Sequence, residues 1–167
     1  LEYTKDPNMS YAYFAAGCFW GVEYYMEKID GVKEVHSGFM GGHVKNPGYY
    51  EVVGGNTGHL EAVEVIYDKS KVSYEKLART FFEIHDPTQT NGQGPDIGPQ
   101  YLSAAFIANE NEANTIKKLI SILENNGLKI ATQILAKKEF YKADEGHQNY
   151  YNKKGTLPYC HGYQKRF

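Results

Sequence analysis

The apolar residues of this chain switch repeatedly between two spacings, and the order of those switches limits the folds open to it. Tyr11 to Ala16 is a short apolar run that suits a strand, and GCFWG breaks it. From Gly21 the positions Val22, Tyr25, Met26 and Ile29 have helical spacing, with Gly31 where such a helix would close. Val32 to Phe39 reads as a strand closed by Gly41-Gly42, and Ala62 to Tyr67 alternates as a strand does. Ser73 is placed to cap a helix whose Leu77, Phe81 and Ile84 share one face and which stops at His85-Asp86-Pro87. YLSAAFIA is again strand-like, and Asn109 then opens a helix with Ile116, Leu119, Ile120 and Leu123 on one face and Gly127 after its end. Residues 129–135 suit another strand, and EGHQNYYNKK a short polar helix. The order strand, helix, strand, strand, helix, strand predicts an α+β fold. Its core is ferredoxin-like, a split βαβ plan with a mixed sheet, packed helices, long loops and a coil-rich C-terminal tail.

Two stretches fall outside this pattern. Residues 41–59 contain NPG and GGNTG, and residues 86–100 read DPTQTNGQGPDIGPQ. Loops of that length in compact domains are usually functional or disordered. With 167 residues the expectation is a single domain over 1–167, with an extended lead-in at 1–10 and a tail at 155–167.

Composition removes several function classes. Apolar and charged shares of 41% and 23% are ordinary for a folded domain, so a disordered chain is excluded. Residues 125–167 carry eight basic against three acidic side chains, but the lysines are scattered and the sequence pI is about 6.3, so no nucleic-acid partner is expected. No apolar run approaches the roughly 18 residues of a spanning helix. The N-terminus lacks the basic-then-apolar order of a signal peptide. The expectation is a cytoplasmic monomer away from membranes; because the chain begins with Leu, an exported mature form stays open.

The chemistry concentrates at Cys18. In an arbitrary chain Cys18 and Cys160 would read as two buried apolar residues or one structural disulfide. Cys18, however, follows a strand and opens a helix, so unpaired N–H groups and the positive end of the helix face its sulfur. Such placement favours thiolate, with reactive cysteines reaching pKa values of roughly 3.5 to 7.5. Phe19 and Trp20 follow, either as core and half-exposed rings or as an aromatic wall for a small apolar group beside the sulfur. No metal-ligand spacing such as C-x-x-C or H-E-x-x-H occurs, and the glycine stretches lack the phosphate-binding and dinucleotide patterns. Glu61 enters a strand among Leu60, Ala62 and Val63. It reads as a surface position opposite Glu64 or, if buried, as a general acid. Asp96 reads as a turn cap or a site acid. Cysteine with His43, His59 or His85 also suits a thiol hydrolase. A peptide-binding module with a structural disulfide is the non-enzymatic alternative.

GCFWG, NPGYYEVVGGNTGHLEAV, HDPTQTNGQGPDIGPQY, EGHQNYY and YCH, in that order over about residues 11–163, resemble the A-type peptide methionine sulfoxide reductases. The resemblance implies thiol-dependent reduction of methionine S-sulfoxide, free or in proteins, as repair under oxidative stress. It makes Cys18 the nucleophile that becomes a sulfenic acid and Glu61 the proton donor. Tyr49 and Tyr101 become the hydroxyls that hold the sulfoxide oxygen, Phe19 and Trp20 the methyl pocket, and Asp96 an orienting acid. Cys160 becomes the resolving cysteine of a Cys18–Cys160 disulfide. No bound cofactor or metal is implied; reducing equivalents would come from thioredoxin or a similar dithiol. Relatives with a further tail cysteine differ from this chain, which has none. His43, Pro95 and Leu102 stand where relatives commonly show an aromatic residue, Asn and Arg.

Overall fold

Alternation along the first strand divides the molecule into two faces. In the computed structural model, which describes residues 8–148, 150 and 161–167, β1 (Met9–Ala16) sends Ala12, Phe14 and Ala16 to one face and Tyr13 and Ala15 to the other. It is followed by α1 (Phe19–Met26), β2 (Val32–Met40), α2 (Tyr49–Val53), β3 (Leu60–Asp68), α3 (Tyr74–Glu83), β4 (Gly92–Gln93) and β5 (Asp96–Ile97). After a 3₁₀ turn at Pro99–Tyr101 come β6 (Ser103–Ile107), α4 (Glu110–Asn125), β7 (Gln133–Ala136) and β8 (Tyr141–Lys142).

The main sheet has the order β7-β6-β1-β3-β2-β8. Neighbours are antiparallel except β6 and β7, which run parallel through the α4 crossover. Helix α1 joins β1 to β2 across β3, and α3 joins β3 to β6 across β1. These are the two split βαβ units expected from the sequence. The mixed sheet with packed helices is therefore α+β, as predicted. Among the described residues no helix is long and apolar enough to cross a membrane.

All three long helices cover one face. Phe19, Val22 and Met26 of α1, Leu77, Phe81 and Phe82 of α3, and Ile116, Leu119 and Leu123 of α4 pack with Phe14, Val63 and Val65 of the sheet. The Phe14 and Phe81 rings stack with centroids 5.0 Å apart. On the opposite face Tyr13, Met40, Ala62 and Phe106 form a smaller cluster, partly covered by Leu135 and Phe140. Side chains cap two helices as the sequence suggests: Ser73 Oγ accepts from the Lys76 N–H at 3.1 Å, and Asn109 Oδ1 from the Glu112 N–H at 2.9 Å.

The differences from expectation are local. Helix α1 starts at Phe19 and closes at Met26; residues 27–31 continue in turns, with Gly31 at φ +97°. The loop 41–59 holds α2, the loop 86–100 holds the β4–β5 hairpin, and β1 takes up the end of the lead-in. The strand expected over 129–135 begins at Gln133, because the Ala131 N–H turns to the Pro87 carbonyl at 2.7 Å instead of the sheet. Of the helix expected over EGHQNYYNKK, the described residues show a 3₁₀ turn at Glu145–His147 and Tyr150 in helical conformation; residues 149 and 151–154 lie outside the described residues.

Candidate active site

The chain turns sharply at the end of β1. Gly17 adopts φ +88°, and a Cβ there would lie 2.5 Å from the Gln93 Cβ, so the turn requires glycine on both counts. Gln93 is itself fixed: its side chain accepts from the Asp86 N–H and donates to the Asp86 carbonyl, each at 2.8 Å. Cys18 then stands at the N-cap of α1, 5% exposed, where the helix dipole favours negative charge.

The carboxyl that meets this helix end comes from the sheet. Glu61 shares the odd-numbered face of β3 with Val63 and Val65, under the helices, whereas Glu64 falls on the opposite face with Tyr13 and His36. Glu61 is 1% exposed and its Oε1 accepts from the Phe19 N–H at 3.2 Å. The reading of Glu61 as a surface strand residue is thus corrected by one step of strand parity.

Two tyrosines approach from the long loops. Tyr49 opens α2, and Tyr101 closes the 3₁₀ turn after the β4–β5 hairpin, which carries Asp96. Burial, followed by the charges of Glu61 and Asp96, pushes the Tyr101 hydroxyl up to about 12. Burial, then Glu61 and Tyr101, raises Tyr49 as well. Cys18 contributes in the same direction to both, so Cys18, Glu61, Tyr49, Tyr101 and Asp96 share one electrostatic neighbourhood. Both phenols remain protonated donors at neutral pH.

An aromatic cluster walls the site. Phe19 is fully buried against Phe39 at 5.5 Å and Tyr49 at 6.2 Å between centroids. Trp20 lies parallel to Tyr49, to His147 and, at 3.8 Å, to Tyr150. The Trp20 Nε1–H donates to His147 Nδ1 at 3.3 Å, which assigns the neutral ring's proton to Nε2. Burial above all lowers the His147 pKa and keeps it neutral. His147 also stacks on Tyr49 at 4.3 Å. Neither His147 nor Tyr150 was singled out by sequence reasoning. Their signal was the EGHQNYY segment itself, whose distance from GCFWG along the chain hides the contact.

Two histidines of the thiol-hydrolase alternative, His59 and His85, are engaged elsewhere. His59 accepts from the Gly42 N–H at 3.1 Å and donates to the Val44 carbonyl at 2.6 Å. The His85 ring bonds the Phe81 carbonyl and, at 2.8 Å, Ser103 Oγ, and burial pushes its pKa down to about 3. His43 is exposed. Cys160 lies outside the described residues. Its neighbour His161 is buried beside the cysteine turn, donating from Nε2 to the Ala16 carbonyl at 2.6 Å and lying where a Cβ on Gly21 would come within 2.1 Å of its Nδ1.

A family model described as peptide methionine sulfoxide reductase matches residues 10–166. The chain belongs to this family. Peptide methionine sulfoxide reductase MsrA 1 of Rhodopirellula baltica is 43% identical over 161 residues, covering 96% of this chain and 84% of that protein. Among solved structures, reduced Mxr1 from Saccharomyces cerevisiae superposes with a TM-score of 0.89 at 33% identity, over 95% of this chain and 94% of that one. Mxr1 in complex with Trx2 superposes with a TM-score of 0.65 at 24% identity, over 95% and 93% of the two chains, a likeness of fold. Cys18, Glu61, Tyr49, Tyr101, Phe19, Trp20 and Asp96, the site residues that the resemblance implies, gather around the opening of α1 in this member.

Proposed function

We propose that this chain reduces methionine S-sulfoxide to methionine, with Cys18 as nucleophile. The observation that carries the reading is Cys18 at the opening of α1, with the Glu61 carboxyl bonded to the next N–H and two protonated phenols in the same field. The Cys18 thiolate bonds to the sulfoxide sulfur while Glu61 in its acid form gives a proton to the oxygen; the hydroxyl then passes from the methionine sulfur to the Cys18 sulfur as the bond between the two sulfurs breaks, leaving a Cys18 sulfenic acid and methionine. The Tyr49 and Tyr101 hydroxyls hold the oxygen as its charge develops. Phe19 and Trp20 receive the S-methyl group, where sulfur and methyl meet ring faces and edges. Asp96, on the hairpin beside Tyr101, orients the substrate.

Regeneration falls to Cys160. Its thiolate displaces water from the Cys18 sulfenic acid and leaves a Cys18–Cys160 disulfide, which a dithiol partner reduces by exchange. The YCH segment, which resembles the family's tail with a resolving cysteine, supports this pairing. Thioredoxin is the partner of choice. The complex of Mxr1 with Trx2 is consistent with it. The reaction is tested by incubating the reduced protein separately with the S and R epimers of N-acetylmethionine sulfoxide and separating the products. Methionine product from the S epimer alone, with loss of two thiols, is expected; no product from either epimer would move the reading to a binding module.

A further inference from the structure

Strand β8 ends at Lys142, and the pairing along β2 beyond it is continued by a side chain. The Ala143 N–H still reaches the Ser37 carbonyl of β2 at 2.9 Å. The Gln148 amide then closes on the same residue. Its Oε1 accepts from the Ser37 N–H, and its Nε2 donates to the Ser37 and Ala143 carbonyls, each at 2.9 Å. Gln148 is 3% exposed and Ser37 fully buried, so water is not at hand to replace these bonds. The Ser37 hydroxyl in turn donates to Oε1 of the buried Glu23 on α1 at 2.6 Å. One residue of β2 thus joins α1 to the 143–148 segment.

That segment has little else to hold it. Asp144, Glu145 and Gly146 are exposed and bring no apolar anchor, so its place depends on the Gln148 bonds. What it carries is the backing of the aromatic wall. Tyr150 lies on Trp20 at 3.8 Å, His147 lies on Tyr49 at 4.3 Å, and Trp20 Nε1–H donates to His147 Nδ1. Trp20 and Tyr49 are therefore each braced from one short segment. A displacement of about 1 Å in such a group can cost up to about 10² in rate.

We propose that Gln148 is a positioning residue of the site: by clipping the 143–148 segment to Ser37 it holds His147 and Tyr150 against Tyr49 and Trp20, and so sets how both rings meet the substrate. The inference rests on the reductase reading for what those rings do to a sulfoxide; the brace itself has a readout of its own.

The test compares the wild type with Gln148→Met, which keeps the length and loses every polar bond, and with Gln148→Glu, which keeps an oxygen for the Ser37 N–H. Ile134→Ala, on β7 at the opposite edge of the sheet, serves as a control for lost stability alone. Single-turnover rates at varied N-acetylmethionine S-sulfoxide give the apparent dissociation constant and the maximal rate. Emission of Trp20, the one tryptophan of the chain, reports the brace. In Gln148→Met the dissociation constant should rise about tenfold, the maximal rate fall about threefold, and the emission move to longer wavelength as the indole gains water. Gln148→Glu should lie between this variant and the wild type, and Ile134→Ala should match the wild type in both readouts. Unchanged emission or an unchanged dissociation constant in Gln148→Met, or the same changes in Ile134→Ala, would overturn the proposal; if Gln148→Met does not fold, Gln148→Glu decides by the same criteria. No reduction by the wild type, with the emission shift still present in the variant, would overturn the reductase reading and leave the brace standing.

Discussion

The backbone N–H of Phe19 donates to Oε1 of Glu61 at 3.2 Å, joining the opening of α1 to the middle strand of the sheet. Residues 42 positions apart in sequence are thereby locked into one geometry. In the proposed reaction, the helix end that would activate Cys18 and the carboxyl that would give up a proton are positioned by the same bond.

That bond separates structure from chemistry at Glu61. Glutamine keeps an oxygen that accepts from Phe19 N–H but has no acidic proton. Glu61→Gln should therefore retain the wild-type thermal transition and slow the single-turnover release of methionine by about 10² or more. An unchanged rate in rapid-quench measurements would return Glu61 to a purely structural role.

In the proposed reaction Tyr49 and Tyr101 offer two hydroxyls to one developing oxyanion, so each would partly cover the loss of the other. Each single substitution to Phe should slow reduction about tenfold, and the double substitution by about 10³, more than the product of the two singles. Because Tyr101 titrates only at about 12 and Tyr49 is raised too, no decline from tyrosine ionisation should appear in the pH–rate profile below pH 10 or so. Additive, large single effects, or a tyrosine-dependent decline near pH 9, would contradict this sharing.

Gly21 is a spacer for the tail. A methyl group there would lie 2.1 Å from His161 Nδ1, so Gly21→Ala must displace the ring from the Ala16 carbonyl. Release of the first methionine should persist, while steady-state turnover with thioredoxin falls about tenfold, resembling Cys160→Ser in direction. Normal cycling in Gly21→Ala would show that the seat of His161 has no part in regeneration.

His85 makes stability depend on pH. Its folded-state pKa is lowered to about 3 by burial, against about 6.5 for the free side chain, so the unfolded chain binds a proton that the native chain refuses. Its contribution is fully present above pH 6.5 and is lost as the pH falls from there towards 3, with a slope approaching about 1.4 kcal/mol per pH unit. Urea midpoints should drop between pH 7 and pH 5, and His85→Gln should flatten that dependence. An equally steep loss in His85→Gln would assign the effect to other groups.

Legibility from sequence followed physical locality. The strand and helix periodicities of Phe14, Val63, Leu77 and Leu119 predicted the split βαβ sheet, because each element repeats its own pattern over several turns or pleats. The tyrosines and Asp96 were legible through the family resemblance of their loops. What escaped was long-range: the parity that buries Glu61, the stacking of His147 on Tyr49 and Trp20, and the packing of Gln93 against Gly17. The two-residue strands β4, β5 and β8 are too short to display a period.

The oxygen's destination tests the assignment of Cys18 most directly. Reduced Cys160→Ser protein, mixed with one equivalent of N-acetylmethionine S-sulfoxide and trapped with a sulfenic-acid reagent, should show the reagent on the peptide containing Cys18 in proportion to the methionine product released. Product released with Cys18 unmodified, or full turnover by Cys18→Ser, would contradict it.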